Sequence, residues 1–253
     1  MPCRNTTGSR SPGRSSTRTR ADGTSIKRSF TGAATASSLF AERGQRDHLD
    51  KYPGGVDYTL FKAINGLSGN SFADSVVKFF ATDMVVVLVA LVALTFLIPW
   101  TRNRLERRNG AVLATASAGL ALLLSQPIGH LVDRTRPFLA HPSHAHLLVS
   151  QSHDPSFPSD HATGAFALAF GIWLYDRTLG VVFLVLAAIV AFARVYVGTH
   201  YPGDVVGGAL LGIAVAGALY LAAPTRRLIE AVARRCGDAW DRVIRRFSRT
   251  RAA

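Results

Sequence analysis

FPSDHATGAF, residues 157 to 166, sets a serine, an aspartate and a histidine in succession where an apolar run begins. Pro158 and Ser159 ahead of such a run mark a helix start. Asp160 and His161 then fall in the first turn, at the edge of an apolar layer. A second junction, ARVYVGTHYPGDVVGG at 193 to 208, places Arg194, His200 and Asp204 between two further apolar runs. Ionisable groups are costly beside hydrocarbon, so their collection at helix ends points to a site rather than to chance.

Working outward, 48% of the 253 residues are hydrophobic, and five apolar runs stand out: Met84 to Trp100, Ala111 to Ile128, His161 to Tyr175, Leu179 to Val197 and Val205 to Ala223. Each is near the lower limit for crossing a hydrocarbon core of ~30 Å at ~1.5 Å per residue. Before them, Leu60, Phe61, Ile64 and Leu67, then Phe72, Val76, Val77 and Phe80, recur at helical spacing among polar residues. These two segments, with Asp57 and Ser71 as expected N-caps, fit helices lying in the membrane interface. The expected fold is all-α: a polytopic transmembrane helical bundle of five to six spans plus interfacial helices. Residues 1-55 are expected as a disordered basic N-terminal tail, 56-223 as the membrane-embedded domain, and 224-253 as a basic cytoplasmic C-terminal tail.

The formal charge of +13 is unevenly placed: of 29 Lys and Arg, nine lie in residues 1 to 50, nine follow Pro224, and four stand in TRNRLERRNG. Basic tails and a short basic loop between apolar runs suit lipid headgroups and membrane orientation, and argue against nucleic acid as a partner. The first fifty residues carry no apolar stretch of the signal-peptide kind. Cys3 and Cys236 fall in opposite tails, without metal-ligand spacing or a disulfide framework. The basic loop with Arg102, Arg104, Arg107 and Arg108, the turn with Arg177, and the C-terminal tail are separated by pairs of spans. The charge rule places all three in the cytoplasm and the loops 129 to 160 and 198 to 204 on the outer face of the cell membrane. With five spans, the N-terminal tail is then outside as well.

An antiparallel helical hairpin over 161 to 197 returns its distant ends to one face, so Ser159 and His161 meet Arg194 and His200, with Arg134 and Arg136 able to join them. Arginine's planar fork matches phosphate or carboxylate oxygens. Ser159 at a helix N-cap adds a hydroxyl and free backbone N–H groups to an anion site. His200, with Asp204 four residues on, reads as a nucleophile and its orienter, and His161 as a proton donor to a leaving oxygen. His141, His144, His146 and His153 are irregularly spaced and lack a cysteine or carboxylate cluster, which suits a lid or access loop better than a metal site. Gly207, Gly208, Gly212 and Gly217, with Ala116, Ala118 and Gly119, read as close-packing positions between helices.

DRTRPF, FPSDHA and ARVYVGTHYPGD resemble the three signature motifs of the type 2 phosphatidic acid phosphatase superfamily: Lys-x6-Arg-Pro, Pro-Ser-Gly-His and Ser-Arg-x5-His-x3-Asp. Together with DYTLFKAINGLSGNSFADSV, the chain is most similar to the bacitracin-resistance type of undecaprenyl pyrophosphate phosphatase, from about Asp57 to Ala223. The resemblance implies a helical bundle of the kind shared with vanadium haloperoxidases. It also implies attack on phosphorus by His200, Asp204 holding its ring, and His161 as general acid. Arg136, Ser159 and Arg194 would bind phosphoryl oxygens, and no metal or other cofactor is required. The implied substrate is polyprenyl diphosphate, with membrane lipids around it. Three positions depart from the motifs: Gly129 stands for Lys, Asp160 for Gly and Ala193 for Ser. Arg134 or His130 is expected to supply the missing charge, and Asp160 to offer its backbone N–H to phosphate while its carboxylate turns away or pairs.

Other lipid phosphates, namely phosphatidic acid, phosphatidylglycerol phosphate or a polyprenyl-phosphosugar, present the same group to these motifs. A non-catalytic anion-binding protein or transporter is the alternative of another class. A transporter gathers polar residues near the bilayer midplane, whereas here they collect at one interface, which favours an enzyme.

Overall fold

A computed structural model of the chain describes residues 55–98, 103–150 and 153–250. The tail expected to be disordered, Cys3, Trp100 and Arg102 lie outside the described residues. Among the described residues there are nine helices and no strand. In chain order they are α1 (Val56–Asn65), α2 (Ser71–Thr82), α3 (Met84–Leu97), α4 (Arg104–Val132), α5 (Pro137–Ala140), α6 (Asp160–Trp173), α7 (Arg177–Tyr196), α8 (Pro202–Leu221) and α9 (Ala223–Thr250).

Helix α6 is the axis of the bundle, wrapped by α4, α7 and α8 and touched by α3. Its inward residues are small: Ala162, Ala165, Ala167 and Ala169 are fully buried. Apolar burial gives little drive between helices already in lipid, so close van der Waals contact must hold them. Glycine makes that contact possible on α8. A Cβ on Gly212 would stand 2.4 Å from the Thr163 carbonyl oxygen, and one on Gly208 would stand 2.6 Å from that of Ser159. Gly217 has only the Phe170 ring edge at 3.9 Å. On α4 the packing positions are Ala111, Ala114, Ala118 and Ala121, while Ala116 and Gly119 are exposed.

Among the described residues three stretches are long and apolar enough to cross a membrane: 104–140, α7 and α8. A fourth crossing is broken, because α2 and α3 pass that test together but meet at 53°. Helix α2, expected in the interface, therefore packs on α7 and leads into α3. At 14 residues α6 rises only about 21 Å. The expected caps also move. Asn70 caps α2 by accepting from Phe72 N and Ala73 N, which leaves Ser71 inside the helix. Gly55 precedes α1, which frees Asp57 for other partners.

One end of the bundle is basic and tied by ion pairs. Arg107 meets Asp176 at 2.8 Å, and Arg108 meets Asp241 of α9 at 2.8 Å, with Arg104 on the same carboxylate. Trp240 Nε1 donates to the Leu97 carbonyl at 2.9 Å. The segment after Ala222 is thus a helix strapped to the starts of α4 and α8's far end rather than an unattached strand of charge. At the other end lie α1, the linker 133–136, the loop 153–159 and the turn 197–201.

Adding one methyl separates packing from propensity. Alanine normally favours a helix over glycine by ~1 kcal/mol, so Gly217→Ala should hold or raise the melting temperature of the detergent-solubilised protein. Gly212→Ala should lower it, since the added carbon forces α8 off α6 at a cost of ~1–3 kcal/mol.

Candidate active site

The turn between α7 and α8 brings Arg194, His200 and Asp204 together. Gly198 adopts φ 87°, and a Cβ there would meet the His146 carbonyl oxygen at 2.5 Å, so the turn demands glycine on two counts. Thr199 Oγ1 donates to the Arg194 carbonyl at 2.9 Å, and Leu148 N to that of Val197 at 3.1 Å. The turn is thereby fixed from both sides.

His200 is buried, with Nδ1 2.8 Å from the Ser156 carbonyl oxygen and Nε2 3.3 Å from Arg136 Nη1. A carbonyl only accepts and a guanidinium only donates. The proton of the neutral ring must therefore sit on Nδ1, leaving a lone pair on Nε2. Burial pushes the His200 pKa down from its ordinary value, and the nearby arginines act the same way. The ring is held neutral, with the Nε2 lone pair directed at Arg136.

Asp204 lies beside that ring, as the sequence suggested, within ion-pair distance but not in a hydrogen bond. Its Oδ2 is 3.8 Å from Nδ1, beyond hydrogen-bond range. Instead Oδ2 accepts from Ser156 Oγ at 2.5 Å and from Tyr201 N at 2.8 Å, while Oδ1 accepts from Arg134 Nη1 at 2.7 Å. Asp204 thus acts on His200 through Ser156, whose hydroxyl it anchors and whose carbonyl orients the imidazole. Nothing in the sequence pattern singled out Ser156, because it lies in a loop without periodicity.

The arginines divide into two kinds. Arg134 spends its fork on two carboxylates, Asp204 and Asp57, the latter at 2.6 Å, and its guanidinium stacks 4.2 Å from the Tyr201 ring centroid. It does not line the cavity, which corrects its expected role as a phosphate ligand. Arg136 and Arg194 are held by carbonyls instead. Arg136 Nε donates to Asp154 O at 2.8 Å, and Arg194 Nη1 to Ala81 O at 3.0 Å. Among the described residues neither forms a salt bridge to a carboxylate, and Arg194 Nε is buried without a hydrogen-bond partner.

Between them is a cavity of about 220 Å³, lined by Arg136, Arg194, His161, His200, Asp154 and Asp160, with Gln126 and His130 from the last turns of α4. Asp160 is neither turned away nor paired with arginine: Ser125 Oγ donates to it at 2.6 Å and Gln126 Nε2 at 3.2 Å. Ser159 is the N-cap residue of α6, but its hydroxyl makes no capping bond, is fully buried without a partner and does not line the cavity. Its backbone binds Asp204 O and Thr163 N, so its place is structural. The five residues brought to the cavity are His200, His161, Arg136, Arg194 and Asp160; Asp204, Arg134 and Ser159 stand behind it.

None of the four loop histidines lines the cavity. His146 exchanges backbone bonds with the Asn65 side chain, and the His141 ring lies 4.1 Å from Tyr58, so the loop is pinned to α1 rather than poised as a lid. No cluster of three His, Cys, Asp or Glu fit to hold a metal occurs among the described residues. The cavity suits an anion with a compact head: two guanidinium groups that no carboxylate bonds directly, the start of α6, and room for phosphate groups but not for a lipid chain.

Residues 110–228 match the PAP2 superfamily. The undecaprenyl-diphosphatase BcrC of Bacillus subtilis is 34% identical over 161 residues, which cover 63% of this chain and 80% of that protein. A Bacillus licheniformis protein named bacitracin transport permease protein BcrC is 34% identical over 176 residues, covering 69% of this chain and 84% of that one. The crystal structure of Aquifex aeolicus LpxE shares the fold, with a TM-score of 0.56 and 23% identity over 66% of this chain and 95% of that chain.

Inorganic phosphate should raise the melting temperature of the solubilised protein in a saturable way. Arg136→Gln and Arg194→Gln should each weaken that binding by at least ~10-fold, the loss of one charge-assisted pair. Unchanged affinity in both variants would remove the anion from this cavity.

Proposed function

The chain belongs to the PAP2 superfamily and is a membrane lipid phosphatase; from that premise we propose that it removes the terminal phosphate of undecaprenyl or another polyprenyl diphosphate through a phosphohistidine. The observation that carries this is His200: Nε2 holds a lone pair and faces a cavity between two arginines without carboxylate partners.

In this mechanism Nε2 attacks the terminal phosphorus while Arg136 and Arg194 take its oxygens and the charge that builds on them. The bond to the bridging oxygen breaks, and the lipid monophosphate leaves with a proton that His161 takes up from the bound diphosphate and passes on. Water then attacks the phosphohistidine, His161 takes the proton back, and inorganic phosphate departs. Nδ1 keeps its proton throughout, since the Ser156 carbonyl stabilises the charge the ring acquires.

A diphosphate suits the site better than a monophosphate ester. Its leaving group is itself a phosphate, so His161 has less protonation to supply. With Arg134 committed to Asp57 and Asp204, the inner phosphate is left to Gln126 and His130 on α4, which line the same cavity. The polar groups gather at one end of the bundle, away from the midplane where a transporter would keep them. Hydrolysis of the diphosphate would recycle a carrier lipid for cell-wall synthesis and lower the target of bacitracin.

His200→Ala should reduce turnover by ~1,000-fold or more, and His161→Ala by at least ~100-fold. For the native protein kcat/KM on polyprenyl diphosphate should exceed that on phosphatidic acid by ~10-fold, about 1.4 kcal/mol in transition-state binding. Near-native hydrolysis by His200→Ala defeats the mechanism. Equal rates on phosphatidic acid leave a lipid phosphatase of other specificity.

The same reading sets the site on the outer face of the plasma membrane. Arg104, Arg107, Arg108 and Arg177 cluster at the opposite end with the arginine-rich α9, and basic short loops stay in the cytoplasm. A cysteine at exposed Ser143, in a chain whose Cys3 and Cys236 are serines, should react with an impermeant maleimide in intact cells. Protection of that cysteine until the cells are opened reverses the orientation.

A further inference from the structure

Helix α1 lies outside the three motifs, yet its first turn reaches the site. Asp57 Oδ1 accepts from Gly203 N at 2.7 Å, and Oδ2 accepts from Arg134 Nη2 at 2.6 Å. A Cβ on residue 203 would stand 2.9 Å from Asp57 Oδ2, so glycine there lets the carboxylate close on the backbone. From Arg134 the chain of bonds runs on without a gap. Nη1 meets Asp204 Oδ1 at 2.7 Å, Asp204 Oδ2 takes the Ser156 hydroxyl at 2.5 Å, and the Ser156 carbonyl takes His200 Nδ1–H at 2.8 Å.

The far end of α1 is tied as firmly. Asn65 Nδ2 donates to the carbonyls of His146 and Tyr196 at 2.8 and 2.7 Å, and Phe61 is fully buried against Tyr201. Val56 and Leu60 remain exposed on the other face. A helix seated on the motif turns at both ends, with one carboxylate in the network behind the imidazole, is placed to hold the nucleophile.

We propose that Asp57 is a positioning residue for His200: by sharing the Arg134 guanidinium with Asp204 it fixes the direction of the Asp204 carboxylate, and through Ser156 the aim of the imidazole. The inference rests on the assignment of His200 as nucleophile. Arg134 faces two carboxylates set on different elements, so each limits where the fork can point. Removing one lets the fork rotate onto Asp204 alone and draws Oδ2 away from Ser156. Reaction geometry is sensitive to displacements of an ångström or less.

Asp57→Asn tests this, because the amide can still accept from Gly203 N while the ion pair is lost. In detergent-purified full-length protein, kcat should fall ~10-fold with KM within about twofold of native. The inhibition constant for orthovanadate, which takes the five-coordinate geometry only if Nε2 is correctly aimed, should rise ~10-fold in parallel. An inhibition constant does not depend on how much of the sample is folded. A lower kcat with native vanadate inhibition therefore assigns Asp57 to folding alone and overturns the proposal, as does an unchanged kcat. A rise in KM that accounts for the whole loss places Asp57 in substrate binding and overturns it equally. Should Asp57→Asn not accumulate, Arg134→Lys gives the same readout, since one ammonium cannot hold both carboxylates in place. His200→Ala assayed beside them separates the two claims: if it stays active the nucleophile itself is wrong, whatever Asp57 does.

Discussion

A carboxylate with no exposure to solvent must be surrounded by donors, and at Asp204 that requirement organises the whole end of the bundle. Its donors come from separate parts of the chain: Arg134 from the linker after α4, Ser156 from the loop before α6, and Tyr201 N from the start of its own helix. An uncompensated buried charge costs several kcal/mol, and a fully hydrogen-bonded one can break even. Each donor therefore comes into register because the carboxylate cannot be left without it. The linker, the loop and the turn are set relative to one another by this one group, and the imidazole of His200 inherits its aim from them.

The same accounting separates the arginines. Arg134 sees two carboxylates and is neutralised from within, so its part is architectural. Arg136 and Arg194 are held by carbonyl oxygens, and Arg136 also by the His200 ring; Asp160 lies near both and Asp154 near Arg136, but among the described residues no carboxylate bonds to either directly. Both side chains line the cavity in fixed positions, and donors fixed in advance are what electrostatic stabilisation of a developing charge requires.

Much of this was legible in the sequence. The apolar runs gave the helices α4, α7 and α8, and junction residues His161, Arg194 and His200 met at one cavity because a helical hairpin must return its ends to one face. Arg136 came with them through the neighbouring motif. What could not be read were pairings across long separations. Asp57 and Gly203 stand 146 positions apart, and Ser156 and Asp204 stand 48 apart. Neither pairing leaves a periodic trace. Arg134 was misplaced for the same reason: two residues from Arg136 in a non-helical linker, it faces away, and only its partners reveal the direction. Asp57 was taken for a cap because a capping residue and a tertiary ligand look alike at a helix start, and Gly55 in front of the helix is what decided between them.

The departures from the motifs close the argument, because each has a local cause. A Cβ on Gly129 would lie 3.2 Å from the Phe157 carbonyl oxygen, closer than most such contacts, so a long side chain at that position would press on the loop that carries Ser156. Glycine lets that loop close onto α4, and the positive charge the motif would have placed there is replaced by a cavity wall of Gln126 and His130. Asp160 fits the same change. Its carboxylate takes hydrogen bonds from Ser125 and Gln126, both on α4, and so ties the first turn of α6 to the helix that gave up its cation. Both positions act against α4: Gly129 leaves room for the loop, and Asp160 pins the helix start beside it. What remains facing the cavity beside Asp160 is His200, with Arg136 3.3 Å from its Nε2 and Arg194 in the same wall.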